Sequence, residues 1–108
     1  MAYENPVLGK SIEFADNRIS LYAGQYGKCA ISGEKLLPHD IHCHHKTPIK
    51  SGGNDSYNNL VLVTENIHRL IHATKQDTIQ RYLKEVNLTS KQIEKCNKLR
   101  VQAGLFEI

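Results

Sequence analysis

Five of the six histidines in this 108-residue chain fall into two short stretches whose spacing suits metal binding. His42, His44 and His45 belong to the stretch His-Cys-His-His-Lys-Thr-Pro, and His68 and His72 belong to His-Arg-Leu-Ile-His. A spacing of four residues places two side chains on one face of a helix, and imidazole nitrogens are common ligands of divalent cations. The two stretches together predict one metal site built from several imidazoles.

The first stretch is predicted to be a β-strand over about 41–45. Alternation along a strand places His42 and His44 on one face, and Cys43 and His45 on the other. The neighbouring side chains of His44 and His45 therefore point apart, which suits two different roles.

The elements that position these histidines are predicted from periodicity, turn residues and capping signals. The first is a helix from an Asp16 cap to about residue 25, with Gly27 as its stop. A hairpin over 28–45 follows, with strands at 29–31 and 41–45 and a turn at Ser32-Gly33-Glu34, and after it come a loop from Ser51, a bend at Asn58-Asn59 and a strand at 60–63. Three helices come last: one after Thr64-Glu65-Asn66, one behind an Asp77 or Thr74 cap, and one behind a Thr89 and Gln92 capping box that ends at Gly104.

Length and composition indicate one globular domain. Hydrophobic residues make up 40% and charged residues 23% of the chain, and no run approaches the roughly 18 apolar residues of a membrane span. The first residues lack a signal-peptide pattern, so we expect a cytoplasmic protein with three reduced cysteines and no membrane partner. The net charge of +3 permits contact with nucleic acid without requiring it.

The stretch from Cys29 to His72 resembles the HNH endonuclease family, whose ββα-metal motif contains His-His or Asp-His, then Asn, then His. The matching residues are, in order, His44-His45, Lys46-Thr-Pro48, Gly52-Gly53, Asn59 and His68, with His72 in place of the additional ligand of the three-histidine variant seen in colicin-type nucleases. More narrowly, the chain looks like the C-terminal HNH domain of group II intron-encoded reverse transcriptase/maturases over about residues 12–103. This narrower similarity rests on the runs Gly27-Lys-Cys-Ala, His42-Cys-His-His-Lys and His68-Arg-Leu-Ile-His.

The resemblance implies an α+β fold with a small ββα-metal (His-Me finger) HNH core. The core would occupy about 28–73, with a helix before it and additional C-terminal helices over about 74–104. The HNH domain would span 16–108, and residues 1–15 would form an N-terminal arm.

The resemblance also implies roles for single residues in the hydrolysis of a DNA phosphodiester bond to 5′-phosphate and 3′-hydroxyl ends. His45 would be the general base, and Asn59 would brace the loop that orients it. One divalent cation would be held by His44, His68 and His72, with magnesium or manganese as the working ion and zinc or nickel also suited to the three imidazoles. Three basic residues near these positions are candidates for phosphate contacts: Lys46, Lys50 and Arg69.

The chain departs from the family pattern at two Cys-x-x-Cys pairs that hold a structural zinc in many relatives. The first is Cys29-Ala-Ile-Ser32 and the second is Thr64-Glu-Asn-Ile67, so three of the four ligands are missing. One thiolate cannot build a tetrahedral zinc site, and we therefore expect no structural zinc. We expect packing by Ile31 and Ile67 in its place, and buried thiols at all three cysteines.

Other interpretations of the same residues stay open. His42 is expected to lie outside the ligand set, and His39 is expected to lie in a turn. Asn58 could serve as the bend residue in place of Asn59. The basic side chains could be solvated surface charges. For the protein as a whole, the leading hypothesis is a DNA-nicking domain that works with intron RNA and a reverse transcriptase domain. A non-cleaving module that anchors a larger ribonucleoprotein to nucleic acid is the alternative, and a metal-stabilised interaction domain is a third.

Overall fold

The sheet of this protein has two antiparallel strands, β1 (His42–His45) and β2 (Leu60–Val63). His42 lies opposite Val63, and His45 lies opposite Leu60. This computed structural model describes residues 12–108, and all structural statements refer to them. The predicted α+β class is confirmed, since four helices accompany the sheet: α1 (Ile12–Gly24), α2 (Glu65–His72), α3 (Gln76–Val86) and α4 (Ser90–Gln102).

The predicted hairpin over 28–45 is wrong, because the partner of β1 is β2 and residues 29–31 form no strand. A tight turn takes their place. The N–H of Cys29 donates to the carbonyl of Glu34 at 2.7 Å, and Gly33 adopts a left-handed conformation with φ +75°. The N–H of Ala30 donates to the carbonyl of Leu62, so this turn packs beside β2 and does not pair with β1.

Helix α1 begins at Ile12, so the predicted start at Asp16 is wrong. Phe14 is only 7% exposed, and its burial in the core extends the helix by about one turn before Asp16. Residues 12–15 of the predicted N-terminal arm therefore belong to α1, and the rest of that arm lies outside the described residues. Gly27 adopts φ +68° three residues after the helix ends, as a predicted stop residue should.

Helix α2 follows β2 directly and packs against β1. The hydroxyl of Thr64 caps it by accepting from the N–H of Ile67 at 3.4 Å. Ile67, Leu70 and Ile71 are fully buried at helical spacing. The opposite side of α2 is therefore left to its polar residues.

Helices α3 and α4 both contact α2. The predicted caps of α3 at Asp77 or Thr74 are wrong, because Lys75 occupies the N-cap position and no side chain caps the helix. The predicted capping box of α4 is confirmed, with Thr89 and Gln92 each accepting from the other's backbone N–H. Gly104 follows the end of α4 with φ +89°.

The cysteines divide between core and partly exposed positions. Cys29 and Cys96 are buried as predicted, whereas Cys43 is half-buried and packs against the edge of the core. Ile31 and Ile67 pack in the same core as Cys29. No disulfide joins the three cysteines, all of which lie within the described residues. Among residues 12–108, no helix has the length and apolar character needed to cross a bilayer.

Candidate metal centre and the adjacent histidine

Three of the four histidines with predicted functional roles meet between β1 and α2. The ring centroids of His44 and His68 are 5.3 Å apart, those of His44 and His72 are 5.0 Å apart, and those of His68 and His72 are 4.8 Å apart. One nitrogen from each ring lies within 4.8 Å of the other two. The predicted ligand set is therefore brought together by the fold, and we call it the three-histidine cluster.

Strand alternation and helix spacing explain why the cluster forms. His44 is one of two β1 histidines on the side that faces α2, while His68 and His72 lie one helical turn apart. His44 is 1% exposed, His68 is half-buried and His72 is exposed. The cluster is therefore closed at the strand and open to solvent at the end of α2.

The environment keeps these imidazoles neutral. Burial first, and then the neighbouring His68 and His72, lower the pKa of His44 from 6.5 to about 3. Burial and His72 lower the pKa of His68 to about 4. The pKa of His72 is also lowered, because its ring is partly desolvated although the residue as a whole is exposed, and because Arg100 carries a positive charge. All three rings are thus unprotonated at neutral pH, which is the form that binds metal.

The ring nitrogens of His44 provide a test of whether a cation fits here. Both are buried, and neither has a hydrogen-bond partner among the described residues. A buried polar group without a partner costs roughly 1–3 kcal/mol. A cation bound by the cluster would remove this cost for one of the two nitrogens, since each ring offers one ligand atom. Three imidazole donors also match zinc, nickel or manganese better than magnesium, so the donor set fits a divalent transition metal.

His45 points away from the cluster and is held by two other residues. Its Nε2 lies 2.8 Å from Oδ1 of Asp55, and its ring stacks on Phe14 with centroids 5.8 Å apart and planes 12° apart. His45 is still close to the cluster. After burial and the nearer histidines, a charge on His45 further lowers the pKa of both His44 and His68.

Asn59 fastens the segment that follows His45. Its Oδ1 accepts from the N–H of Thr47 at 2.9 Å, and its Nδ2 donates to the carbonyls of Thr47 at 3.1 Å and Asn54 at 2.8 Å. Its backbone carbonyl accepts from the N–H of Lys46 at 2.7 Å. Asn59, rather than Asn58, therefore has the bracing geometry expected of it. Its part in catalysis stays a prediction.

His42 lies beside the cluster together with two carboxylates. Its ring centroid is 5.6 Å from that of His68, and its Nε2 is 3.8 Å from Asp40. Asp40 also accepts from the N–H of Glu65, and Glu65 forms an ion pair with Arg69 at 2.6 Å. Asp40, His42 and Glu65 are close enough to share an ion, but both carboxylates already have protein partners.

The basic residues predicted to contact phosphate differ in their surroundings. The guanidinium of Arg69 is hydrogen-bonded to Glu65, which raises its pKa and occupies part of its donor set. Lys46 is half-buried next to His45, Lys50 is exposed after it, and His39 is exposed at the turn predicted for it. The two lysines are therefore placed better than Arg69 for a phosphate contact.

Sequence reasoning missed three residues that support the site: Phe14, Asp55 and Arg100. Phe14 falls within the N-terminal arm that the sequence predicts, and Asp55 falls within the loop predicted from Ser51. Arg100 is 0% exposed, and its guanidinium donates to the carbonyls of Leu70, Ile71 and Ala73 at the end of α2. A lone arginine in an amphipathic helix carries no signal of such burial, whereas an acidic residue shortly after a predicted base could have drawn attention to Asp55.

The fold and the site together define a small α+β protein with a candidate three-histidine metal centre. In comparisons with known proteins, no protein-family model matches the chain, and no curated protein is significantly similar to it. Its function is therefore inferred from its own residues.

Proposed function

We propose that this protein is a metal-dependent endonuclease of the HNH class that hydrolyses a phosphodiester bond of DNA. The observation that carries the proposal is the three-histidine cluster together with a fourth, carboxylate-paired histidine on the next position of the same strand. The order strand, strand, helix around the cluster agrees with a ββα-metal core. A metal-binding group beside a base is the pair of functions that phosphodiester hydrolysis needs.

His45 is the general base of the proposed reaction. It accepts a proton from the water that attacks phosphorus, because imidazole exchanges protons readily near neutral pH. Phe14 and Asp55 hold its ring in place, and Asn59 fixes the segment that leaves β1. These contacts keep the base in one orientation while DNA enters and leaves.

His44, His68 and His72 would hold one divalent cation. When bound, such an ion supplies Lewis-acid stabilisation of the charge that develops on the phosphate and on the leaving 3′ oxygen. The protein contributes three neutral donors, one of them buried and without another partner among the described residues. Magnesium or manganese is proposed as the working ion, and zinc or nickel as ions that the same donors would also bind.

Lys46 and Lys50 are proposed to position the DNA strand through its phosphates, as weaker contributors than the histidines. The net charge of +3 agrees with a polyanionic substrate. The narrower form of the proposal is a strand-nicking domain of a group II intron reverse transcriptase/maturase, or a free-standing relative, with intron RNA and a reverse transcriptase domain as partners. It rests on the sequence resemblance over about residues 12–103, carried by the runs Gly27-Lys-Cys-Ala, His42-Cys-His-His-Lys and His68-Arg-Leu-Ile-His.

The test is nicking of supercoiled plasmid with magnesium, manganese, nickel or a chelator. The protein should nick only with metal, and His45→Ala should lose about 100-fold or more of the rate. His68→Ala should lose both activity and metal affinity. His39→Ala is the matched control, because His39 is exposed and belongs neither to the three-histidine cluster nor to the contacts of His45, and it should behave as wild type.

Two results would contradict the proposal. Nicking that persists unchanged in His45→Ala would remove the assigned base. An uncut plasmid under every ion, together with salt-dependent DNA binding, would favour the non-cleaving nucleic-acid module.

A further inference from the structure

The contact between Asp55 and His45 determines which nitrogen of His45 can act as a base. Nε2 of His45 and Oδ1 of Asp55 are 2.8 Å apart, and their side chains are 18% and 23% exposed. An ionised carboxylate can only accept a hydrogen bond, so Nε2 must carry the proton. In the neutral ring the lone pair then lies on Nδ1, and only that nitrogen can take a proton from water.

Asp55 is itself held by the fold. Its backbone carbonyl accepts from Nδ2 of Asn17 in α1 at 2.8 Å. The preceding residue, Asn54, is fixed on both sides, since its carbonyl accepts from Asn59 and its Oδ1 accepts from the N–H of Ser56. The carboxylate therefore rests on a segment tied to α1 and to the residue that enters β2, and it can orient a side chain on β1.

Phe14 and Asp55 restrict different motions of the His45 ring. The parallel stack with Phe14 fixes the plane of the ring, and the hydrogen bond to Asp55 fixes its rotation within that plane. The hydrogen bond to Asp55 uses Nε2, and neither contact uses Nδ1 as a donor or acceptor. A base needs one defined tautomer and one defined direction, and these two residues supply them.

We propose that Asp55 is a positioning residue that keeps His45 in the tautomer protonated at Nε2 and presents Nδ1 to the attacking water. The assignment of a reaction to this geometry rests on the proposed endonuclease function. The tautomer itself does not, because it follows from the contact of Nε2 with an ionised Asp55 carboxylate whether or not the protein cuts DNA.

The first experiment is nitrogen-15 NMR of the histidine rings at pH 8, on the metal-free and on the zinc-loaded protein. Wild type should show His45 protonated at Nε2 and not at Nδ1. Asp55→Asn should change this pattern, because a carboxamide can donate as well as accept and no longer selects one tautomer. Asp77→Asn is the matched control, since Asp77 is exposed on α3, and it should leave the His45 signals unchanged.

The second experiment is plasmid nicking by the same variants with magnesium or manganese. Asp55→Asn should lower kcat roughly 100-fold, at the lower end of what a positioned general base contributes, while KM and zinc affinity stay at wild-type values. A residue with a merely structural role would change zinc affinity or folding along with kcat.

The two proposals fail in different ways. Protonation of Nδ1 in wild type, or an unchanged tautomer in Asp55→Asn, would overturn the role of Asp55. An Nε2-protonated His45 in a protein that never nicks DNA would support the Asp55 contact and overturn the endonuclease proposal.

Discussion

Among the described residues, the two most deeply buried polar side chains are His44 and Arg100, and they differ in how far the protein satisfies their hydrogen bonding. His44, between β1 and α2, is 1% exposed and has no hydrogen-bond partner on either ring nitrogen among the described residues. Arg100, in α4, is 0% exposed and donates to three carbonyls at the end of α2 and to that of Phe106. Arg100 therefore has four carbonyl partners through Nε and Nη1 and only Nη2 without one, whereas His44 has a partner on neither ring nitrogen.

This difference separates a binding position from a structural one. A buried polar group that the protein satisfies completes the fold, whereas one left unsatisfied costs stability unless something else binds it. Arg100 ends α2 by satisfying carbonyls that the helix cannot pair itself. His44 offers one ring nitrogen to an external partner, and the two neighbouring imidazoles make a cation the natural one.

Replacement of Arg100 should have the largest effect on stability. Arg100→Met leaves the carbonyls of Leu70, Ile71 and Ala73 without their donor, and we expect a loss of about 3–4 kcal/mol in the free energy of unfolding. Urea denaturation measures it. Lys84→Met is the control, because Lys84 is exposed on α3 and should change stability by less than about 0.5 kcal/mol. Equal effects of the two variants would contradict the structural role of Arg100.

The effect of metal on stability should distinguish the role of His44 from that of Arg100 most directly. Zinc at about 100 times its dissociation constant should stabilise wild type by about 2.7 kcal/mol and His44→Leu not at all. Without metal, His44→Leu should stay within about 1 kcal/mol of wild type, because the substitution removes an unpaired polar group. Thermal and urea denaturation with and without chelator measure both values. His39→Leu should keep the full effect of zinc.

The outcome that would contradict this prediction is a large loss of metal-free stability in His44→Leu. Such a loss would place His44 in the same structural class as Arg100.

Per histidine and per pH unit, the smallest expected effect is the pH dependence of the metal-free protein. Unfolded histidines bind protons below about pH 6.5, whereas folded His44 and His68 resist protonation down to a pKa of about 3 and about 4. The unfolded state therefore binds more protons in this window, and stability falls as the pH is lowered from about 6.5 towards 4. Each such proton contributes about 1.4 kcal/mol per pH unit.

Urea denaturation in chelator between pH 7.5 and 4.5 measures this dependence. His44→Leu should have a shallower slope than wild type, since one of the two resisting imidazoles is gone. An unchanged slope would show that His44 does not resist protonation in the folded state.

The parts of the structure that sequence predicts best depend on local pattern. The opposite directions of His44 and His45 follow from strand alternation, and the meeting of His68 and His72 follows from helix spacing. The capping box of α4 likewise depends on two residues close in sequence, Thr89 and Gln92. None of these features needs a distant contact to form.

The parts that sequence did not predict depend on contacts between separate elements. The pairing of β1 with β2 wins over a hairpin because the segment around Cys29 closes its own turn and bonds to Leu62. Asp55 is recognisable only when the loop folds back to His45. Arg100 resembles any other cation of an amphipathic helix until α4 packs on α2, since its partner Leu70 lies 30 residues earlier.

The link from Arg100 to the end of α2 also affects the order in which the site is completed during synthesis. The histidines of the cluster are made before Arg100, and His72 lies at the last residue of α2. The carbonyls there gain their donor only when α4 has been made and has packed. A growing chain therefore contains all three histidines while the helix end that carries one of them is still unsupported, and we expect the full cluster to be completed late in folding.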